Sequence, residues 1–170
     1  TAEGGTHEWG HLIALWHAED VTIDGVYMKD ATGDGVSIAG YRYTETTDSG
    51  SELVPYGSRN ITIKNCTFDR IRRNSISLTY AYNTLIEGNH FKNAMVNLPS
   101  SNWIPPGLPI DIEPYIFEEV YDAKIINNTH EGKGSFHVYK STAMPSDYVS
   151  PSPYVSPHTI QSGDSGGSII

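Results

Sequence analysis

One short phrase recurs along this chain: Asp20-Val-Thr-Ile-Asp-Gly-Val-Tyr-Met28, Asn60-Ile-Thr-Ile-Lys-Asn-Cys-Thr-Phe68, Asn83-Thr-Leu-Ile-Glu-Gly-Asn-His-Phe91 and, more loosely, Asp122-Ala-Lys-Ile-Ile-Asn-Asn-Thr-His130. Each copy opens on Asn or Asp, alternates apolar and polar residues, turns at Gly or Asn and alternates again, which describes two short strands joined by a bend. A second phrase precedes each copy: Leu12-Ile-Ala-Leu15, Gly35-Val-Ser-Ile38, Ser75-Ile-Ser-Leu78 and Pro109-Ile-Asp-Ile112, with a last one at Ser135-Phe-His-Val138. Each repeat therefore holds three strands. Ile13 and Val36 are 23 residues apart, and so are Asn60 and Asn83, while the longer intervals carry inserted segments. A unit this small cannot bury an apolar face by itself. It must stack, each strand pairing in parallel with its counterpart one coil away at roughly 4.8 Å. Asp20, Asn60, Asn83 and Asp122 suit the left-handed backbone of a tight corner, and amides stacked at that corner can bond to one another.

The reading is an all-β chain, a right-handed parallel β-helix: a solenoid of 23-residue coils with loop insertions, occupying residues 1–140. The insertions are residues 39–57, with Tyr41, Tyr43 and Tyr56, and residues 95–107, with Pro99, Trp103, Pro105 and Pro106. Both flank the sheet made by the second phrase. Residues 141–170 are rich in Ser, Pro and Gly and read as a loop excursion or tail. The chain starts at Thr1, and neither end reads as a natural cap, so it is expected to be a fragment of a longer helix.

Charge narrows the partners. Eleven Lys and Arg against 20 Asp and Glu give a formal net charge of −9, which repels phosphate backbones and argues against nucleic acid. The one cysteine, Cys66, sits in an alternating strand and reads as a core thiol. No apolar run approaches the roughly 18 residues of a membrane helix.

Inward-pointing residues on the second-phrase sheet are Ile13/Leu15, Val36/Ile38, Ile76/Leu78, Ile110/Ile112 and Phe136/Val138. Two columns then point to solvent: Ala14, Ser37, Ser77, Asp111, His137, and Trp16, Ala39, Thr79, Glu113, Tyr139. Asp111 and Glu113 project from one strand about 6.6 Å apart, with His137 one coil further on at roughly 4.8 Å. That separation suits an inverting glycosidase, in which one carboxyl protonates the leaving oxygen and the other activates water. Alternatively, Asp or His takes a proton alpha to a uronate carboxyl while Arg72 or Arg73 neutralises that carboxyl, which is lyase chemistry. The catalytic candidates are thus Asp111, Glu113, His137 and Arg73. Trp16, Tyr139, Trp103 and Tyr43, with Ser77, are the expected substrate contacts, the rings serving as platforms for sugars. An exposed Asp and Glu can equally do no more than solubilise the sheet. Asp34, between Gly33 and Gly35, reads as a corner residue rather than a catalyst.

Two motifs compete with this reading. His7-Glu-Trp-Gly-His11 fits the zincin pattern, and His17 falls at the third-ligand spacing. Those ligands need a shared helix face, whereas Leu12-Ile-Ala-Leu15 aligns with four other strands, so no cofactor or metal is expected and His7, His11 and His17 stand as the minor zinc alternative. Gly163-Asp-Ser-Gly-Gly167 copies the nucleophile loop of trypsin-like proteases, but the matching His surroundings are missing and the fold is wrong.

With the repeat laid out, the chain resembles the pectate-lyase-like single-stranded right-handed β-helix superfamily, and within it the tailspike and appendage proteins of bacteriophages and prophages. The resemblance covers residues 5–139 and rests on Gly10 to Leu15 followed by Asp20-Val-Thr-Ile23, on Gly33-Asp-Gly-Val-Ser-Ile38, on Arg72-Arg-Asn-Ser-Ile-Ser77 and on Ile110-Asp-Ile-Glu-Pro114. It implies a homotrimer at a virion surface or outside the cell that binds and cleaves host polysaccharide or teichoic acid. It also implies carboxylates on the helix face, matched here by position to Asp111 and Glu113. The signatures of pectate lyases, polygalacturonases and alginate epimerases are not recognisable. A binding or structural trimeric shaft is the alternative function.

Overall fold

The computed structural model describes residues 9–47, 50–94, 107–114, 118–132, 137–138 and 159–160; for 42–47, 51–55, 94, 132, 137–138 and 159–160 the description is of the backbone. It winds in coils of three strands. The first holds β1 (Ile13–Trp16), β2 (Glu19–Asp24) and β3 (Tyr27–Lys29). The second holds β4 (Val36–Thr47), β5 (Gly50–Lys64) and β6 (Thr67–Asp69). The third holds β7 (Ile76–Leu78), β8 (Ala81–Glu87) and β9 (His90–Ala94). The fourth holds β10 (Ile110–Ile112), β11 (Val120–Ile126) and β12 (Thr129–Gly132), and β13 (His137–Val138) and β14 (Thr159–Ile160) add to two of the sheets.

Equivalent strands pair in parallel. One sheet runs β1, β4, β7, β10, β13, with Ala14, Ser37, Ser77, Asp111 and His137 in register as the spacing predicts. The second runs β2, β5, β8, β11, β14 and the third β3, β6, β9, β12. Val36, Ile38, Ile61, Ile63, Ile76, Leu78, Ile86, Ile110, Ile112, Phe68 and Phe91 fill the interior and are fully buried. The stacked Phe68 and Phe91 rings, 5.1 Å apart, are one step of that column.

Three corners close each full coil, and most of the corner residues have left-handed φ. Asp20, Asn60, Asn83 and Asp122 lie between 51° and 56°, and the next bend falls at Gly25, Asn65, Gly88 and Asn127. The third corner uses Asp30, Arg70 and Asn93. At the first corner the amides form the expected ladder, Asn83 Nδ2 donating to Asn60 Oδ1 and Asn60 Nδ2 to Asp20 Oδ1, each at 2.8 Å. A second ladder is internal: Asn89 takes the backbone N–H of Cys66 on Oδ1, and its own backbone N–H goes to Asn128 Oδ1. Burial pushes the Cys66 thiol pKa up, as befits a core thiol.

The insertion at 39–57 leaves the coil as a paired arm rather than an open loop: β4 and β5 continue into it antiparallel, from Gly40 opposite Gly57 to Thr47 opposite Gly50. Alternating Tyr, Thr and Val in this stretch favour strand over loop. Of the insertion at 95–107 only residue 107 is described, and of the segment 141–170 only Thr159–Ile160, whose backbone pairs in parallel with β11.

Candidate functional site

A cleft of about 200 Å³ opens over the outer face of β1, β4 and β7. Its floor is made by Ser37, Ser77, Thr79, Ala39 and Trp16, residues of the two outward columns. Trp9, His11, Asp34, Arg73 and Glu118 line the rest, with Gly40 at the root of the arm. Trp9 and Trp16 are 72% and 55% exposed, so their indole faces are open to a ligand.

The charged side of the cleft grows from one register position. His11, Asp34, Asn74 and Leu108 each stand two residues before the first inward residue of β1, β4, β7 and β10, which stacks them in a column. Along it the backbone N–H of each coil donates to the side chain one coil back. Asp34 N–H goes to His11 Nδ1 at 3.1 Å, Asn74 N–H to Asp34 Oδ1 at 3.0 Å, and Leu108 N–H to Asn74 Oδ1 at 2.9 Å. Arg73 Nη1 donates to both Asp34 oxygens at 2.9 and 3.1 Å, compensating a carboxylate that is only 1% exposed.

His11 Nδ1 also lies 3.3 Å from Asp34 Oδ2. Because Nδ1 accepts the Asp34 N–H, the ring is neutral with its proton on Nε2, and the short approach is not a salt bridge. Burial, opposed by Asp34 and helped by Arg73, holds the His11 pKa below the ordinary histidine value.

The same column changes the picture of Asp111. Asn74, whose amide is oriented by Leu108, donates from Nδ2 to Ser77 Oγ at 2.9 Å and to Asp111 Oδ2 at 2.8 Å. Ser77 and Asp111 are therefore buried, Ser37 is buried as well, and of the described part of this column Ala14 alone faces solvent as expected. The physical reason is Asn74, which caps the outer face between β7 and β10. Burial first, then the Glu113 charge, raise the Asp111 pKa to about 6. Arg73 and the Asn74 bond pull in the other direction. Such a carboxyl is half-protonated near pH 6, well above the ordinary carboxylate range, and there has a proton to give. Glu113, half-buried, follows it two residues on along the same strand direction.

The other sequence candidates divide. His137 places its backbone opposite Asp111. Arg73 lines the cleft but its guanidinium is held by Asp34, so it reaches Asp111 only as a nearby charge. Tyr43 lies in the arm, its backbone opposite Val54. Tyr139, Trp103 and Phe136 lie outside the described residues, as do His7 and Gly163–Gly167. For the zinc alternative, residues Ile13–Trp16 form a strand rather than a helix, and His17 stacks on Tyr41 at 3.7 Å, away from the His11–Asp34 pair. Among the described residues no three His, Cys, Asp or Glu are grouped to hold a metal.

Asp34 lies in the turn before β4, as the corner reading has it, and is in addition the buried anchor of the cleft's charged side. Trp9, Asn74 and Glu118 were not singled out by the sequence. The signal for Asn74 was present: the shared offset of two residues before each inward Ile or Val.

The family description "Right handed beta helix region" matches residues 11–143. Among curated proteins the chain is similar to the Bacillus subtilis (strain 168) uncharacterized protein YclG, at 32% identity over 78% of this chain and 22% of that protein. It is also similar to the SPbeta prophage-derived uncharacterized protein YorA of the same organism, at 30% identity over 65% of this chain and 17% of that protein. The chain thus spans about a fifth of the length of these relatives. No solved structure matches it.

Proposed function

Because the chain belongs to the right-handed β-helix family, we propose that it processes a polysaccharide, as a hydrolase or lyase acting on a cell-surface glycan or teichoic acid. The observation that carries this reading is Asp111, a carboxyl with its pKa raised to about 6, beside Glu113 and one strand from the Ser77 floor of a cleft with two exposed indoles. A proton donor poised near neutrality next to a second carboxylate is the pairing that glycosidic cleavage requires. Trp9 and Trp16 supply the apolar faces on which pyranose rings stack. The prophage origin in the name of one relative supports a place on a phage appendage or outside the cell, and with it a homotrimer.

A second reading, a glycan-binding or structural shaft without catalysis, is favoured by one fact: Asp111 is 3% exposed and its Oδ2 is occupied by Asn74. The two readings part on a simple comparison. If the chain is an enzyme, Asp111→Asn and Glu113→Gln each abolish release of reducing ends or unsaturated products while glycan binding persists. Full activity in either variant removes that residue from the chemistry. Binding by the native protein without any product release selects the shaft.

A further inference from the structure

We infer that the glycan taken by this cleft is built of uncharged sugars and that its cleavage is hydrolytic. This deepens, and rests on, the reading of the cleft as a glycan site. Uronate carboxylates and teichoic phosphates are recognised by guanidinium or ammonium groups that can turn their donors to the ligand. Among the described residues lining the cleft, Arg73 is the sole Arg or Lys. Its Nη1 is committed to both oxygens of Asp34, which is 1% exposed and also holds the Asn74 N–H. Turning that guanidinium to a ligand would leave a buried carboxylate without its counter-charge, which is strongly unfavourable.

The surroundings add negative charge. Glu118 lines the cleft and Glu113 directly follows β10, the strand next to its floor. With a formal net charge of −9 on the whole chain, the field at the cleft repels polyanions. Lyase chemistry meets the same obstacle, since the carboxylate beside the abstracted proton must be neutralised.

An uncharged glycan meets none of it. Two indoles take ring faces, and Thr79, half-buried on the floor, offers its hydroxyl to sugar hydroxyls. In the hydrolytic step Glu113 takes a proton from water, the water oxygen bonds to the anomeric carbon, and the glycosidic C–O bond breaks. The departing oxygen receives the Asp111 proton, and solvent then returns the proton from Glu113 to Asp111.

The test is a glycan array carrying cello-, xylo- and N-acetylchito-oligosaccharides beside oligogalacturonates and glycerol phosphate chains, read at about 0.15 M salt so that long-range repulsion is screened. Binding should be confined to uncharged chains, with anionic ones weaker by about tenfold or more, equivalent to 1.4 kcal/mol. Anionic chains bound as tightly as uncharged ones overturn the inference and leave the glycan reading standing; binding to no chain overturns both. Asp34→Asn releases Arg73, and Glu118→Gln removes a wall charge without touching the buried pair. Each should narrow the gap between the two classes several-fold, and an unchanged gap in both counts against the charge argument.

Discussion

The side-chain amide of Asn74 donates to Asp111 Oδ2 across 2.8 Å, joining a residue of the turn before β7 to the middle of β10. The bond favours the ionised carboxylate, yet burial and the Glu113 charge outweigh it and the pKa stands at about 6, above the ordinary 3.8. The native state therefore holds a proton that the unfolded chain has lost between these values. Stability from Asp111 is full below pH 4 and is lost as pH rises through 6, by about 2–3 kcal/mol. Asp111→Asn should flatten this slope in urea unfolding measured from pH 4 to 7. An unchanged slope would place the raised pKa elsewhere.

The solenoid was legible because each coil writes its own corners. Asn60 and Asn83 announce left-handed φ, and the 23-residue interval between them sets the register that puts Ile61 opposite Thr84. Pairs bridging unequal insertions were harder to see. Asp34 and Asn74 are 40 residues apart because the arm intervenes, so their shared place before β4 and β7 is hidden by spacing. Exposure was misjudged for a related reason: alternation tells which face Asp111 is on, but not that Asn74 folds over that face.

His11 offers a pH effect of the opposite sign. Its pKa lies below 6.5, with burial the largest cause, and its Nδ1 accepts the Asp34 N–H only while unprotonated. The stability it contributes is present above pH 6.5 and is lost as pH falls through the lower, folded value. In NMR titration the His11 ring should protonate with a midpoint below 6.5. A midpoint at or above 6.5 would show that the Asp34 charge outweighs desolvation.

The exposed amide ladder separates backbone strain from hydrogen bonding. Asn60 has φ 56° and bonds both Asp20 and Asn83. Asn60→Ala loses the bonds and places a Cβ residue without local polar support in the left-handed region, at a combined cost of about 2 kcal/mol. Asn60→Gly loses the same bonds but relieves the backbone, and should cost about 1 kcal/mol. Equal losses in chemical denaturation would mean that the φ at this corner carries no energetic weight.

The internal ladder should respond more sharply. Asn89 is 1% exposed, takes the Cys66 N–H on Oδ1, and donates from Nδ2 to the Ile63 carbonyl and to Asn128 Oδ1. Water does not reach these partners to replace it. Asn89→Ala strands a buried donor and leaves a cavity, for a loss of about 3 kcal/mol or more. Asn89→Asp keeps the acceptor for Cys66 but replaces both donated bonds by a buried carboxylate facing the oxygens of Ile63 and Asn128, so it should also destabilise at pH 7. Lowering the pH to 4 protonates that carboxylate and restores one donor, so the Asp variant should recover relative to Ala. Equal stability of the two variants across that range would mean that Asn89 acts by filling space rather than by bonding neighbouring coils.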